Sequence, residues 1–478
     1  MERRWRGLGK DGSAWIAIAA ALALAALLFI PFRSTFDHDR DLADMPSLSL
    51  AFGLMAAGAV FLCVIPLIER AEHLRGRALR RLLSFILLVG LGLRIAMFWT
   101  TPAHEDDFYR YLWDGAVLVN GYDPFAFAPN AAADTGHAPK AIKDLAEAAG
   151  DVHARINYPE LHTIYPPVAQ AAFALAYLAE PWSLLSWRLI CLGGELATAA
   201  LLLALLQALR RSPLWISLYW WNPLVIKELI NSAHMEAILM PLVLAAVLLS
   251  LRQRPLAATA ALTVAIGAKI WPIILAPLIW RRLVANPLQL AAAMAILGVG
   301  CLIWALLSLQ ATLGESSGLV AYVTVWKTNS AITPLLERII EAVVVRAGGE
   351  QVLASRIVRA LLGLTLAAII LMLLRKPISD DQDLIRRMLL ATASLYLLSP
   401  AQFPWYLTWL LPFLVLLPVR GWLIATPLVA LYYSLFYFRA IDSYWVYRDI
   451  VVWLIWIPIW GVLAYDRWNR TTLPVRVP

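Results

Sequence analysis

Between His104 and Pro129 the chain reads HEDDFYRYLWDGAVLVNGYDPFAFAP, and the eleven positions from His104 to Asp114 hold four acidic residues and one arginine directly after an apolar run. Carboxylates beside such a run are either solvated loop charges or groups that act on something bound to lipid. Asp107, Arg110 and Asp114 stand at i, i+3 and i+7, which puts them on one face of a helix. Asp106 is offset by about 100 degrees and also reaches Arg110 at i+4. A carboxylate at a desolvated membrane surface has its proton affinity raised, and Arg110 draws it back down. The result is a group suited to accept a hydroxyl proton. The plainer alternative is a salt-bridged juxtamembrane helix anchored by Tyr109, Tyr111 and Trp113.

What holds these residues is read from composition. With 61% hydrophobic and 15% charged residues and a mean hydropathy of +0.70, no water-soluble core could hide the apolar surface. The chain is expected to be an all-α polytopic membrane protein. Cys63, Cys191 and Cys301 lie far apart in apolar runs, without disulfide or metal-ligand spacing, and read as small core hydrophobes. The net charge of +8 gathers at span ends, which points to membrane topology and not to nucleic acid. The first apolar run, Ala14 to Pro31, lacks a small-residue cleavage site and is long enough to span, so no cleavable signal peptide is expected.

Basic residues set the orientation. Arg3, Arg4, Arg6 and Lys10 place the N-terminus in the cytoplasm, and spans are expected near 14–31, 49–67 and 81–99. The segment 100–163 then forms a first large external loop with juxtamembrane helices. Later basic clusters, including Arg210 with Arg211, Arg252 to Arg254, and Arg467, Arg470 and Arg476, stay cytoplasmic only if Tyr165–Ala179 is a short helix that does not cross. Further spans are expected near 186–208, 213–230, 235–251, 255–267, 270–280, 287–307, 355–374, 385–399, 405–418, 421–437 and 448–465. That gives about fourteen spans, or 12 to 14. A second external loop, 308–353, is expected to act as a lid, with an amphipathic stretch from Thr333 to Arg346. The chain 1–478 reads as one transmembrane domain, with its candidate residues on the outer face. Neither a phosphate-cradling glycine loop nor a dinucleotide fingerprint is present.

The ordered strings DDFYRYLWDG, GYDPFAFAP, INYPELHTIYPP, WNPLVIKELINSAHMEA, GAKIWPIILAP and LSPAQFPWYLTWLLP resemble the bacterial branch of the GT-C superfamily. These are integral-membrane glycosyltransferases, notably the polyprenol-phosphate-mannose-dependent alpha-mannosyltransferases. The resemblance runs from about residue 80 to 440. It implies an outer-face catalytic cavity and a catalytic aspartate in the first large external loop, a short gap before Arg-Tyr. By that register Asp107 is the first candidate and Asp106 the second. The implied reaction is inverting transfer of a hexose, with mannose the family's sugar, from a polyprenyl-phosphate donor to a lipid or glycan acceptor at the outer face of the bacterial cytoplasmic membrane.

Such a reaction needs positive charge or donors for the departing phosphate. Candidates are Lys269, Arg110, His234 and Lys327, with Arg439 also external. Lys269 lies between Gly267 and Pro272, where it either meets the phosphate as a point charge or snorkels to the interface. His234 and Glu236 follow Asn222-Pro223 and Glu228 in a turn resembling the family's N-P, E, G-H-x-D pattern. Here Ala233 stands for the glycine and Glu236 for the aspartate. Trp405, Tyr406, Tyr165, Gln402 and Asp114 complete the candidates for substrate contact, the aromatics because flat apolar faces with polar edges suit a sugar and its lipid. Trp326, Trp445, Tyr444 and Tyr447 have the same character and equally fit an aromatic belt. Asp106, Asp107, His234 and Glu236 offer metal-ligand types, but the resemblance implies no metal or other cofactor. The other function class is a transporter or flippase of lipid-linked sugars, since broken helices and interfacial charges also suit transport. No internal repeat accompanies them.

Overall fold

The computed structural model describes residues 9–132, 139–312 and 316–469. Arg3, Arg4, Arg6, Arg470 and Arg476, used above to set topology, lie outside the described residues, as does the side chain of Lys10. Among the described residues the regular structure is helical, with two isolated β-bridges, His162 with Ser317 and Thr328 with Ala401. It is an all-α polytopic membrane protein.

Eight described helices are long and apolar enough to cross a membrane: Asp11–Leu28, Ser47–Ala71, Gly76–Trp99, Leu184–Ala208, Pro287–Leu307, Gln351–Leu374, Arg420–Ala440 and Tyr444–Trp468. Pro223–Asn231 and Glu236–Leu251 form a further pair bent by 118°. The remaining expected spans are shorter pieces. Pro255–Ala268, Trp271–Trp280 and Pro404–Leu416 are apolar helices of 10–17 residues, and ten residues of helix rise only about 15 Å against a hydrocarbon core of about 30 Å. Proline breaks most of them, since it removes the amide a continuous helix needs. The expected span 385–399 falls in Asp381–Leu398, whose first turns carry Asp381, Asp383, Arg386 and Arg387. Tyr165–Ala179, expected as a short helix, is helical over Pro167–Ala179.

The stretch 100–163 carries Asp107–Val119, Lys140–Ala149 and Asp151–Ala154, held by a small core of its own that includes Trp113, Ile142, Leu145 and Ile156. Asp107–Val119 packs on Pro167–Ala179. The crossing is close because position 115 has no side chain: a Cβ on Gly115 would lie 2.4 Å from the Phe173 carbonyl oxygen. Gly194 plays the same part where Leu184–Ala208 meets Glu236–Leu251, with the Ala237 oxygen 2.2 Å from an added Cβ. Small residues at helix crossings are how membrane helices approach without a hydrophobic drive between them. The described residues of 308–353 form more than a bare loop: they include Leu309–Thr312, Gly318–Thr324 and Ile332–Arg346, the last packed against Gln351–Leu374. The backbone amide of His162 donates to the Ser316 carbonyl at 2.9 Å, and Tyr158 lies against Trp326 at 5.2 Å. The second stretch therefore leans on the first.

Candidate active site

The segment leading into Asp106 and Asp107 is tied down before the helix begins. The Asn231 side chain accepts from the Ala103 amide at 3.1 Å and donates to Thr100 Oγ1 and the Thr101 carbonyl, each at 2.8 Å. The Arg188 guanidinium donates to the carbonyls of Thr100 at 2.8 Å and Asn231 at 2.6 Å. One buried arginine and one buried asparagine thus join 100–103 to the end of Pro223–Asn231. His104 turns the chain with φ of +54°, donates to or accepts from Ser47 Oγ at 2.8 Å, and stacks on Phe436 at 4.0 Å. Burial, and then the ammonium of Lys227, push its pKa down to about 3, so the ring is neutral.

Asp106 precedes the helix and Asp107 occupies its first turn, where the helix dipole favours a negative charge. The Asn157 amide nitrogen donates to both carboxylates, at 2.7 Å to Asp106 Oδ1 and 2.9 Å to Asp107 Oδ1. Burial, then the charges of Asp107 and Glu105, push Asp106 up to about 7 against the Asn157 hydrogen bond. Asp107 is raised too, chiefly by burial, with His234 opposing and Glu105 adding to the rise. Glu105 goes the other way: burial would raise it, but Lys227 and His234 together hold it below the usual carboxylate range. Two neighbouring carboxyls with high proton affinity beside one kept ionised is an arrangement able to take up a proton.

These groups open into a cavity of about 620 Å³ whose lining includes Glu105, Asp106, Asp107, Asn157, Trp326, Lys327, Trp405 and Arg439. Phe36 also lines it, and Phe36 lines an adjacent groove of about 440 Å³ walled mainly by apolar residues of the first two spans, among them Leu22, Leu50, Leu54 and Ala57. Phe36 thus stands between a cavity lined in part by Glu105, Asp106 and Asp107 and a groove that is almost wholly apolar.

The remaining candidates divide by place. His234 is fully buried, with Nδ1 3.8 Å from Asp107 Oδ2, and its ring stacks on Trp405 at 4.1 Å. The Trp187 indole donates to the Ala233 carbonyl at 2.7 Å, fixing the break that presents it. Ala233 has φ of +57°, a conformation that suits glycine, which accounts for the glycine in the related pattern. Tyr165 directs its hydroxyl to Asp107 Oδ2 at 3.4 Å. Glu236 is paired with Lys269, whose ammonium also lies 4.6 Å from the centre of the Tyr406 ring. Lys327 lines the cavity while pairing with Glu337 at 3.0 Å.

Arg110, Asp114 and Gln402 are used for packing. Arg110 donates to Asp114 Oδ1 at 2.8 Å and the Leu161 carbonyl at 2.9 Å, and Gln170 occupies the other Asp114 oxygen at 3.0 Å. Both partners are buried, and the basic side chain facing Asp107 is His234, where the spacing had suggested Arg110. The Gln402 side chain donates to the Leu397 carbonyl at 2.7 Å, while its backbone amide donates to the Thr328 carbonyl at 2.9 Å.

Sequence reasoning passed over a buried cluster next to Asp107. Glu105, Glu228 and His234 each bring a ligand atom within 4.8 Å of one another, and Lys227 Nζ lies 3.4 Å from both carboxylates. Asn157 and Tyr433 were also missed. The available signal was Lys227-Glu228 inside an otherwise apolar run, since ionisable residues there are rarely without function. Glu105, Glu228 and His234 are the described residues whose types and spacing suit a divalent ion, and Lys227 stands among them.

Residues 6–285 match the model of the MptA_B family, described as alpha-(1->6)-mannopyranosyltransferase, N-terminal domain. No curated protein and no solved structure matches the chain. The matched stretch carries Glu105, Asp106, Asp107, Lys227, Glu228, His234, Glu236 and Lys269, and Lys327, Trp405 and Tyr433 come from beyond it. Because the match spans more than half of the chain and covers the cavity's acidic wall, the protein belongs to the MptA_B family and is a membrane mannosyltransferase.

Proposed function

We propose that the protein transfers mannose with inversion from a polyprenyl-phosphate donor to a hydroxyl of a lipid or glycan acceptor, at the outer face of the bacterial cytoplasmic membrane, with Asp107 as general base. The observation that carries this reading is that one residue, Phe36, lines both the Asp106–Asp107 cavity and an apolar groove. A lipid-linked sugar needs both environments at once. Asp107 takes the acceptor proton as the acceptor oxygen bonds to the anomeric carbon, and the bond from that carbon to the phosphate oxygen breaks. The leaving phosphate needs no proton, so one base suffices; burial and the Glu105 charge raise its proton affinity, and Asp106 shares the Asn157 donor with it. Lys327 and Arg439, the cavity's two basic residues with permanent charge, supply positive charge for the phosphate. Lys269 is committed to Glu236 and would have to change partner to do so. No metal or other cofactor takes part in this scheme.

Purified protein in nanodiscs, given radiolabelled decaprenyl or undecaprenyl phosphate mannose and candidate membrane acceptors, is expected to make a labelled product. Transfer from a nucleotide sugar with no lipid carrier present would overturn the donor assignment. A flippase would move the labelled donor across the bilayer without forming a glycosidic bond, which the same reaction mixture reveals.

A further inference from the structure

Two carboxylates and one imidazole, converging in a buried pocket, form a donor set suited to a small divalent cation. Glu105, Glu228 and His234 supply it. His234 Nε2 lies 3.4 Å from Glu105 Oε2 and 3.6 Å from Glu228 Oε2, and neither nitrogen of this fully buried ring has a hydrogen-bond partner. The same space receives an ammonium from the chain itself. Lys227 Nζ lies 3.4 Å from Glu105 Oε1 and 3.4 Å from Glu228 Oε2. It also bonds the Tyr433 hydroxyl, which donates to Glu228 Oε1 at 2.6 Å, and it sits 3.9 Å from the centre of the Tyr433 ring.

The backbone is shaped to put it there. Lys227–Asn231 is a π-helical turn, a widened turn that recurs at functional sites. It closes with the Ser232 amide on the Lys227 carbonyl at 2.9 Å, and the His234 amide returns to the Glu228 carbonyl at 3.1 Å. One local distortion therefore presents Lys227, Glu228 and His234 to the same point, opposite Glu105.

We infer that Lys227 is the resident cation of a metal-type site: its ammonium takes the place of a divalent ion among Glu105, Glu228 and His234 and so fixes the imidazole that faces Asp107. Lys227 is a positioning residue, since it holds Glu105 and Glu228, the carboxylates that flank the His234 ring. An ammonium and a divalent ion repel each other at this range, so the wild-type site binds no metal, and removing the ammonium while keeping the three ligands converts it into one that does. Its consequence for transfer rests on the reading of Asp107 as the base, whereas the exchange of one cation for another does not.

The test uses the full chain in nanodiscs, with Mn2+ as probe, read by electron paramagnetic resonance and by mannosyl transfer. Wild type is expected to bind no Mn2+ at this site and to transfer equally before and after chelation. Lys227→Ala should lose at least tenfold in transfer, bind one Mn2+ per chain, and regain most of the loss with it. Lys227→Met fills the space with an apolar chain and should show the loss without the rescue. Lys227→Ala with Glu228→Gln should bind no Mn2+. One equivalent of Mn2+ in wild type, or a folded Lys227→Ala that binds none or transfers normally, overturns the inference. If Lys227→Ala folds only when purified with Mn2+, the inference is supported; if it fails to fold with and without the ion, it is overturned. Should wild type transfer nothing from the lipid donor, the proposed function fails, and the Mn2+ measurement still decides this point.

Discussion

Asp107 and His234 meet across 3.8 Å, Oδ2 to Nδ1, although one opens a juxtamembrane helix and the other stands in the break of a bent one. Their meeting makes a loop carboxylate part of the membrane domain. It depends on Asn231 and Arg188 pinning 100–103 to the turn before His234.

The raised proton affinities give transfer a defined acid limb. Asp106 is pushed to about 7 by burial, Asp107 and Glu105, and Asp107 is raised as well. A base acts only when deprotonated, so kcat/KM should climb with pH over a range above the ordinary carboxylate value of about 4. Glu105→Gln removes a like charge that raises Asp107 and should move that limb to lower pH. A pH–rate profile of both proteins checks this, and an unmoved limb counts against the coupling.

Arg110 tests the division between packing and chemistry. Removing it leaves buried Asp114 uncompensated, at a cost of about 3–5 kcal/mol. Arg110→Leu with Asp114→Leu removes both charges and should recover most of the stability, with kcat within about threefold of wild type because neither group touches the reacting atoms. Thermal melts and kcat on the three proteins suffice. A large fall in kcat for a stable double variant would return Arg110 to the site.

Lys327 lines the cavity and is half exposed. A charge-assisted contact to the donor phosphate is worth about 1.5–3 kcal/mol, so Lys327→Ala should weaken transfer about tenfold or more, seen mainly in KM for the donor. Unchanged KM would place the phosphate elsewhere, and Arg439 is the next residue to substitute.

Gly115→Ala puts a methyl group 2.4 Å from the Phe173 oxygen. Overpacking of this kind costs about 1–3 kcal/mol. Gly92→Ala, with nothing within 4 Å of the new atom, is the control, and the two melts should differ in that direction.

Fold class and the chemistry-bearing loop were legible because both rest on composition and local spacing. Asp106, Asp107, His234, Lys327 and Trp405 do come together in or beside one cavity. Span count was less so: hydropathy finds apolar runs, but Trp271–Trp280 and Pro404–Leu416 are too short to cross alone, and their prolines mark breaks that a window averages away. Arg110 and Asp114 shared a helix face with Asp107, yet periodicity cannot say that the Leu161 carbonyl would accept from Arg110 and the Gln170 amide donate to Asp114. Lys227 was hidden for a similar reason, since its partners Glu105 and Tyr433 arrive from distant segments and its direction comes from a π-turn.

The central claim is that Asp107 is the base for transfer from a lipid-linked mannose donor. It is tested most directly by comparing wild type and Asp107→Asn for transfer of radiolabelled mannose from polyprenyl phosphate to acceptor at one pH above 7. The amide keeps the shape and can still accept from Asn157, but it cannot take a proton, so the rate should fall by about 10²–10⁴-fold while donor KM changes little. Equal transfer by the two proteins would contradict the assignment.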